Sequence, residues 1–287
     1  MPSRNLLSSV VVPTDFSEGG QRALERALRL PLAPQAKLTV LHVLPDDIPG
    51  KLRKEALAEA GRSVEKAAAR ASQLAMANGH KLTIVADVLE GDAATQIVKR
   101  ARTVEADVIV LGRHGRRSLV NLLLGSTAAK ISRNGDVPVL VVKSQPGGAY
   151  RRAVVAVELN PGGEKLLTLV KPYVQEALDL IVMHASTVPY EDYVLLELGP
   201  MTRLREVAQK DAAKFLQSMV RKSGLVRAES KVTPGDPRVR ILEEAKAHST
   251  ELIVVGTRGL KGVKRIVLGS VAEWILANAS CDVLVGR

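Results

Sequence analysis

Three glycines and a hydroxyl recur at one spacing in two places. They are Gly112, Gly115, Gly125 and Ser126 in GRHGRRSLVNLLLGST, and Gly256, Gly259, Gly269 and Ser270 in GTRGLKGVKRIVLGSV. In each copy the first glycine closes an apolar run, ending in Leu111 or Val255, and the last opens a helix-forming stretch. Glycine has no Cβ, so such a loop can turn sharply and present main-chain N–H groups. A helix start adds unpaired amides and a partial positive charge. Ser126 and Thr127 contribute hydroxyls in the first copy; Ser270, followed by Val271, contributes one in the second. The chemistry this pattern suits is holding an anion, above all a chain of phosphates. A single copy would be equally well explained by ordinary capping glycines. Two copies of G-x2-G-x9-G-S argue for a shared structural role. Asp15, in VPTDF, stands just past another apolar run. A carboxylate there can accept from a ribose hydroxyl or an amine, and a helix N-cap would use the same residue type.

Other chemistries lack their residues. The chain has no G-x4-G-K-[ST], no G-x-G-x-x-G after the first apolar run, no SGG loop there and no H-E-x-x-H. The five histidines are scattered; His42 and His184 occupy matching strand ends and read as structural. His114 lies between motif glycines, but Arg258 stands in its place in the second copy, so no histidine-specific reaction is required. The basic cluster Arg113–Arg117 and its counterparts Arg258, Lys261, Lys264 and Arg265 suit two roles equally, steering polyphosphate or solvating a loop. A net charge of +11 fits an anionic partner, but only 2% of residues are aromatic, with none interleaved among the basic clusters. That argues against nucleic-acid binding. The single cysteine, Cys281, rules out an internal disulfide framework and fits a reducing, cytosolic setting. The opening MPSRNLLSSVVVPTDF does not read as a secretory signal, and no run approaches the roughly 18 apolar residues of a membrane span. A soluble protein is expected.

The elements that must position these residues are also duplicated. VVVPTDFSEGGQRAL matches AVVAVELNPGGEKLL, and GDAATQIVKRARTVEADVIVLGRHG matches GDPRVRILEEAKAHSTELIVVGTRG, at an offset of about 143. The Pro/Gly segment SQPGGAY separates the copies, giving domains 1–146 and 147–287. In the first copy, short β-branched runs predict strands at Leu6–Pro13, Lys37–Val43, Thr83–Leu89, Asp107–Gly112 and Val137–Val142. Helical patterns lie between them, the longest ending at Asn78-Gly79. Strand–helix alternation over about 140 residues predicts a parallel, doubly wound α/β sheet with ligands at the carboxyl ends of the strands. Lone Trp274 is expected in core or interface packing. The segment between Gly50 and Gly79, and its counterpart from Tyr190 to Leu204, reads as packed amphipathic helix, a partner surface being the alternative.

Taken together, VVVPTDFSE, LHV and GRHG-x9-GST resemble the universal stress protein family, and the duplicated chain resembles its tandem members over nearly its whole length. The resemblance implies two tandem doubly wound parallel five-stranded sheet domains of adenine-nucleotide α-hydrolase-like fold. It further implies ATP as the ligand, with Mg²⁺ as an optional companion. Carried onto this chain, the first site would use Pro13, Thr14, Asp15, Val43, Leu111, Gly112, Gly115, Gly125, Ser126 and Thr127. The second would use Glu158, Ala185, Val255, Gly256, Gly259, Gly269, Ser270 and Val271. The second departs from the family pattern where Glu158 replaces Asp15, Ala156 replaces Pro13 and Ala185 replaces Val43. The first site is therefore expected to be the tighter. The edge strands VPVLVV and DVLVG are expected to pair across a pseudo-twofold, so that one chain imitates a dimer; further dimerisation stays open. The implied role is a cytosolic regulatory stress-response protein with a protein partner and little or no turnover. A nucleotide-independent scaffold and an adenylate-forming enzyme are the alternatives.

Overall fold

A computed structural model of the chain describes residues 6–113, 125–186, 199–257 and 268–286, without the side chains of residues 126, 134, 186 and 199–205. The first half runs β1 (Leu7–Pro13), α1 (Glu18–Ala27), β2 (Leu32–Leu44), α2 (Gly50–Ala77), β3 (Thr83–Glu90), α3 (Ala93–Thr103), β4 (Val108–Gly112), α4 (Ser126–Asn134) and β5 (Val139–Val142). The second repeats it: β6 (Arg152–Ala156), α5 (Pro161–Val174), β7 (Asp179–Ser186), α6 (Gly199–Ser223), β8 (Glu229–Pro234), α7 (Pro237–Ala247), β9 (Leu252–Gly256), α8 (Ser270–Asn278) and β10 (Asp282–Gly286).

All ten strands form one sheet in the order β3-β2-β1-β4-β5-β10-β9-β6-β7-β8. Pairing is parallel throughout each half. Only the central pair is antiparallel, Val139, Leu140 and Val141 facing Val285, Leu284 and Val283. The expected edge-to-edge pairing is thus present, and it removes two open apolar edges at once. It also fixes a consequence for function: strands of the two halves run in opposite senses, so their carboxyl ends emerge at opposite edges of the sheet.

Alternation along the strands splits the core into two layers. Val10, Val12, Val108 and Val110 pack with Leu24 of α1, Leu28 just beyond it and Val64 of α2. Val11, Ile109 and Leu111 pack with Ile97 and Ile131 of α3 and α4. Each layer crosses the seam: Leu167 and Leu216 of α5 and α6 continue the first, Ile241 and Ile275 of α7 and α8 the second. The α2 helix buries Ala60, Val64, Ala68, Ala71 and Ala75, a stripe at helical spacing, as its sequence pattern predicts. Of the two places expected for Trp274, it does not take the core: it is 45% exposed, with the Arg238 guanidinium 5.8 Å from its ring centroid. β2 also begins five residues earlier than its apolar run suggests, because the register skips between Leu7↔Leu32 and Ser9↔Lys37. Gln35 takes φ 63° inside that bulge.

The duplication extends to individual hydrogen bonds. Asp107 Oδ2 accepts from the amides of Ser8 and Ser9 at 2.6 and 2.9 Å. Glu251 Oε2 accepts from those of Arg151 and Arg152 at 2.7 and 3.3 Å. One feature has no counterpart. Asp282, at the position of Pro138, is fully buried. Its Oδ1 accepts from the amides of Lys143 and Ser144 and from Ser144 Oγ; its Oδ2 accepts from Tyr150 Oη at 2.8 Å. The Arg26 side chain lies 3.2 Å from the same carboxylate and 4.3 Å above the Tyr150 ring, while its Nη1 donates to Gly148 O. One charge cluster therefore fastens the connecting segment to both halves.

Candidate functional site

Strand order reverses between β1 and β4 in the first half and between β6 and β9 in the second. Pro13, Val43 and Gly112 lie at the carboxyl ends of the neighbouring strands β1, β2 and β4. This is the crevice in which ligands of open α/β sheets sit. Thr14 and Asp15 leave β1 into a turn held by its own side chains. Thr14 Oγ1 accepts from the Phe16 amide at 3.0 Å. Asp15 Oδ1 accepts from the Ser17 amide at 3.1 Å and from Ser17 Oγ at 2.5 Å. Ser17 in turn caps α1 through Gly20 N. Phe16 adopts φ 62°, a conformation costly for an aromatic residue. Its ring is stacked on His42, centroids 4.7 Å apart. The His42 Nδ1–H donates to Thr14 O at 2.7 Å, and His184 repeats this with Val157 O at 2.9 Å. The structural reading of both histidines therefore has a specific content: each latches the first residue beyond its neighbouring strand.

The first motif glycine is required for a different reason than loop flexibility. A Cβ on Gly112 would stand 2.5 Å from Gly19 O and 2.6 Å from its carbonyl carbon. The start of α1 thus rests directly on the end of β4, through the backbone of Gly19. Among the described residues Gly256 has no such neighbour; the closest atom to a Cβ there would be Leu166 Cδ2, at 3.6 Å. Leu166 occupies the position of Ala23, and its buried side chain stands beside Gly256 where the first half has the backbone of Gly19. Glu158 differs too, its Oε2 accepting from the side chain of Asn160 at 2.8 Å. Among described non-glycine residues, the left-handed turn at Phe16 has no partner at Leu159.

Among the described helix starts, some have a side-chain cap and some do not; α2, after Pro49, has none. α1, α3, α5 and α7 each have a side-chain cap, from Ser17, Asp92, Asn160 and Asp236. α4 and α8 begin at Gly125 and Gly269 with no side-chain cap. These are the third glycines of the two motifs. Among the described residues no side chain caps their first-turn amides, at Ser126 and Thr127 and at Ser270 and Val271, and such amides suit an external acceptor. The Gly125 amide donates to Arg113 O at 2.9 Å, closing the loop that separates β4 from α4. Leu111 and Val255 are buried in the core, so either can serve a ligand only through its main chain. Val43, Ala185 and Val271 are half-buried against the same layer. Gly115 and Gly259, His114 and the basic clusters beyond Arg113 lie outside the described residues. So does most of Tyr190–Leu204.

Among the described residues, no group of three or more His, Cys, Asp or Glu could hold a metal ion, and no helix is long and apolar enough to cross a membrane. A cavity of about 590 Å³ opens beside the connecting segment, lined in part by Arg29, Pro31, His80, Tyr150 and Tyr173. None of its lining residues belongs to the two crevices.

A doubly wound α/β unit, with a glycine-led helix at its switch point that has no side-chain cap among the described residues, is thus present twice on one sheet. The family model described as "Universal stress protein family" matches this chain twice, over residues 7–143 and 149–287. The chain belongs to that family. A universal stress protein of Methanocaldococcus jannaschii is 33% identical over 147 residues, 48% of this chain and 84% of its own. One from Mycolicibacterium smegmatis is 23% identical across 97% of this chain and 96% of its own. The crystal structure of a universal stress protein from Archaeoglobus fulgidus superposes with a TM-score of 0.69 at 20% identity, covering 100% of this chain and 99% of that one. That likeness extends to the whole tandem fold.

Proposed function

We propose that this chain is a cytosolic, ATP-binding regulatory protein of the stress response, each half (1–146 and 147–287) carrying one nucleotide crevice. The observation that carries the reading is the pair of glycine-led helix starts at Gly125 and Gly269, which follow the switch-point strands β4 and β9 and have no side-chain cap among the described residues. Amides so exposed at a switch point suit a polyphosphate, and the fold family supports an adenine nucleotide. In the first half, Pro13, Thr14, Asp15 and Val43 would hold the adenosine. Gly112, Gly115, Gly125, Ser126 and Thr127 would hold the phosphates, with Mg²⁺ neutralising them where present. In the second, Glu158 and Ala185 would face the base and ribose. Val255, Gly256, Gly259, Gly269, Ser270 and Val271 would face the phosphates. Bound nucleotide would supply negative charge to the crevice; the chain's own residues bind and orient it. Asp15 is engaged with Ser17, and the Nδ1 proton of His42 with Thr14 O. Neither is poised as a general base, so turnover is slow or absent.

The first crevice is the tighter, because its β1 turn is already fixed by Thr14, Ser17 and the stacked Phe16 and His42. Calorimetric titration with ATP and Mg²⁺ tests both statements. Removing one hydrogen-bond acceptor costs about 0.5–1.5 kcal/mol, so Asp15→Ala should weaken the tighter site roughly 2- to 10-fold, with a smaller effect from Glu158→Ala. No heat with any adenine nucleotide would overturn the reading, and a larger loss from Glu158→Ala would reverse the order of the sites.

A further inference from the structure

Two cations of the first half converge on the end of a helix in the second. α8 has no basic residue in its own last turn. Lys143 Nζ instead donates to Ala279 O at 2.7 Å, and an Arg113 guanidinium nitrogen donates to Ala277 O at 3.4 Å. The final carbonyls of a helix lack partners within it and form the negative end of its dipole, so cations there hold the last turn. The main chain of Arg113 meanwhile joins the two parts of the first crevice. Its amide donates to Val142 O at 3.0 Å, and its carbonyl accepts from the Gly125 amide at 2.9 Å. The opposite end of α8 is Gly269–Val271, the uncapped start that belongs to the second crevice. Near that end, Glu273 pairs with Arg133 of α4. Thus α8 is gripped at both ends by the first half. The reverse connection differs, because Thr257 stands where Arg113 would be, and its Oγ1 is bonded to Gly286 O at 3.3 Å.

We propose that Arg113 is a positioning residue that couples the two crevices through α8. The inference rests on the nucleotide reading above and adds a regulation to it. A guanidinium one residue beyond Gly112 can serve either the α8 carbonyls or a phosphate in the first crevice, not both fully. Polyphosphate in that crevice draws Arg113 away, the last turn of α8 loosens, and the amides at its start are held less firmly. Filling the first crevice therefore weakens the second, and linkage makes the effect reciprocal. Lys143 stays in place, so α8 remains folded.

The test uses the full-length protein and ATP with Mg²⁺, pairing calorimetry with hydrogen exchange of the α8 amides. In the wild type, ATP should accelerate exchange several-fold at residues 276–279, and the two site affinities should differ more than in Arg113→Gln. In Arg113→Gln, exchange there should begin raised and not respond to ATP; Arg113→Lys should restore part of the response. Lys143→Met should raise basal exchange yet keep the response. Binding heat with unchanged α8 exchange in the wild type would overturn the coupling and leave the nucleotide reading standing. A Lys143→Met variant that loses the response as Arg113→Gln does would also overturn it, by showing general fraying. Absence of binding heat would overturn both readings together.

Discussion

Gly112 and Gly256 look interchangeable in the sequence, yet their surroundings demand different things of them. The first supports the backbone of Gly19, whereas among the described residues the second faces only a leucine methyl at ordinary distance. Gly112→Ala should therefore force α1 off β4 and destabilise the fold by about 1–3 kcal/mol, as overpacking does. Gly256→Ala should change stability by no more than about 0.5 kcal/mol. Thermal melts of the two variants check this, and equal losses would refute the asymmetry. The motif spacing was legible because it is repeated. The reason for its first glycine was not, because Gly19 lies more than ninety residues away in sequence. Arg113 was visible only as part of a basic run; its reach to α8 could not be read from the loop alone.

Among elements, the helix starts and the seam strands carry the testable content. Gly125→Asp would give α4 the carboxylate cap that α3 and α7 have. Relative to glycine, such a cap changes stability by only a few tenths of a kcal/mol, so melting should hardly move. Nucleotide affinity should nevertheless fall at least tenfold in calorimetry, because a carboxylate then occupies the amides. At the seam, burial first and neighbouring Arg113 second push the Lys143 ammonium down to about 8. Burial first and Asp282 second push the Cys281 thiol up to about 11. Between about 8 and the ordinary lysine value of 10.5, the unfolded chain binds a proton at Lys143 that the native chain does not. The native state thus gains stability from this group as pH rises through that window. Cys281 works oppositely: its contribution is intact below the ordinary thiol value of 9.0 and is lost as pH climbs toward about 11. Denaturant midpoints should accordingly rise from pH 8 to 9 in the wild type, and this rise should be smaller in Lys143→Met. Native Cys281 should resist alkylation at pH 8 and react once the chain is unfolded.

For the whole molecule, Asp282 has the widest reach. It joins β10 to the connecting segment and to α1 of the other half through Lys143, Ser144, Tyr150 and Arg26. Removing one partner of a buried ion pair leaves the other charge uncompensated and costs about 3–5 kcal/mol. Asp282→Ala should lose stability on that scale in denaturant titrations. By contrast, Glu273→Ala breaks a half-exposed pair with Arg133 and should cost no more than about 1 kcal/mol. If the two variants lose equal stability, the cluster does not fasten the halves together. The antiparallel seam has a second consequence at this scale. Ligands in the two crevices would sit at opposite edges of the sheet, so any communication must pass through elements that cross the seam. α8 is one such helix, its start in the second crevice and its last carbonyls bonded to Lys143 and Arg113 of the first half.

By itself, the sequence determined the alternation of strand and helix, the duplication, the aliphatic core and the glycine-led helix starts. Each of these is written in local periodicity or in repetition along the chain. Tertiary structure alone decided the rest. The bulge at Gln35 depends on the pairing of Leu7 with Leu32. The strained Phe16 is held by His42 from the next strand. The buried Asp282 finds Arg26 more than 250 residues earlier. The physical reason is common to all three: a side chain's partner is set by which strands become neighbours, and that order is fixed only when the two halves close on one sheet.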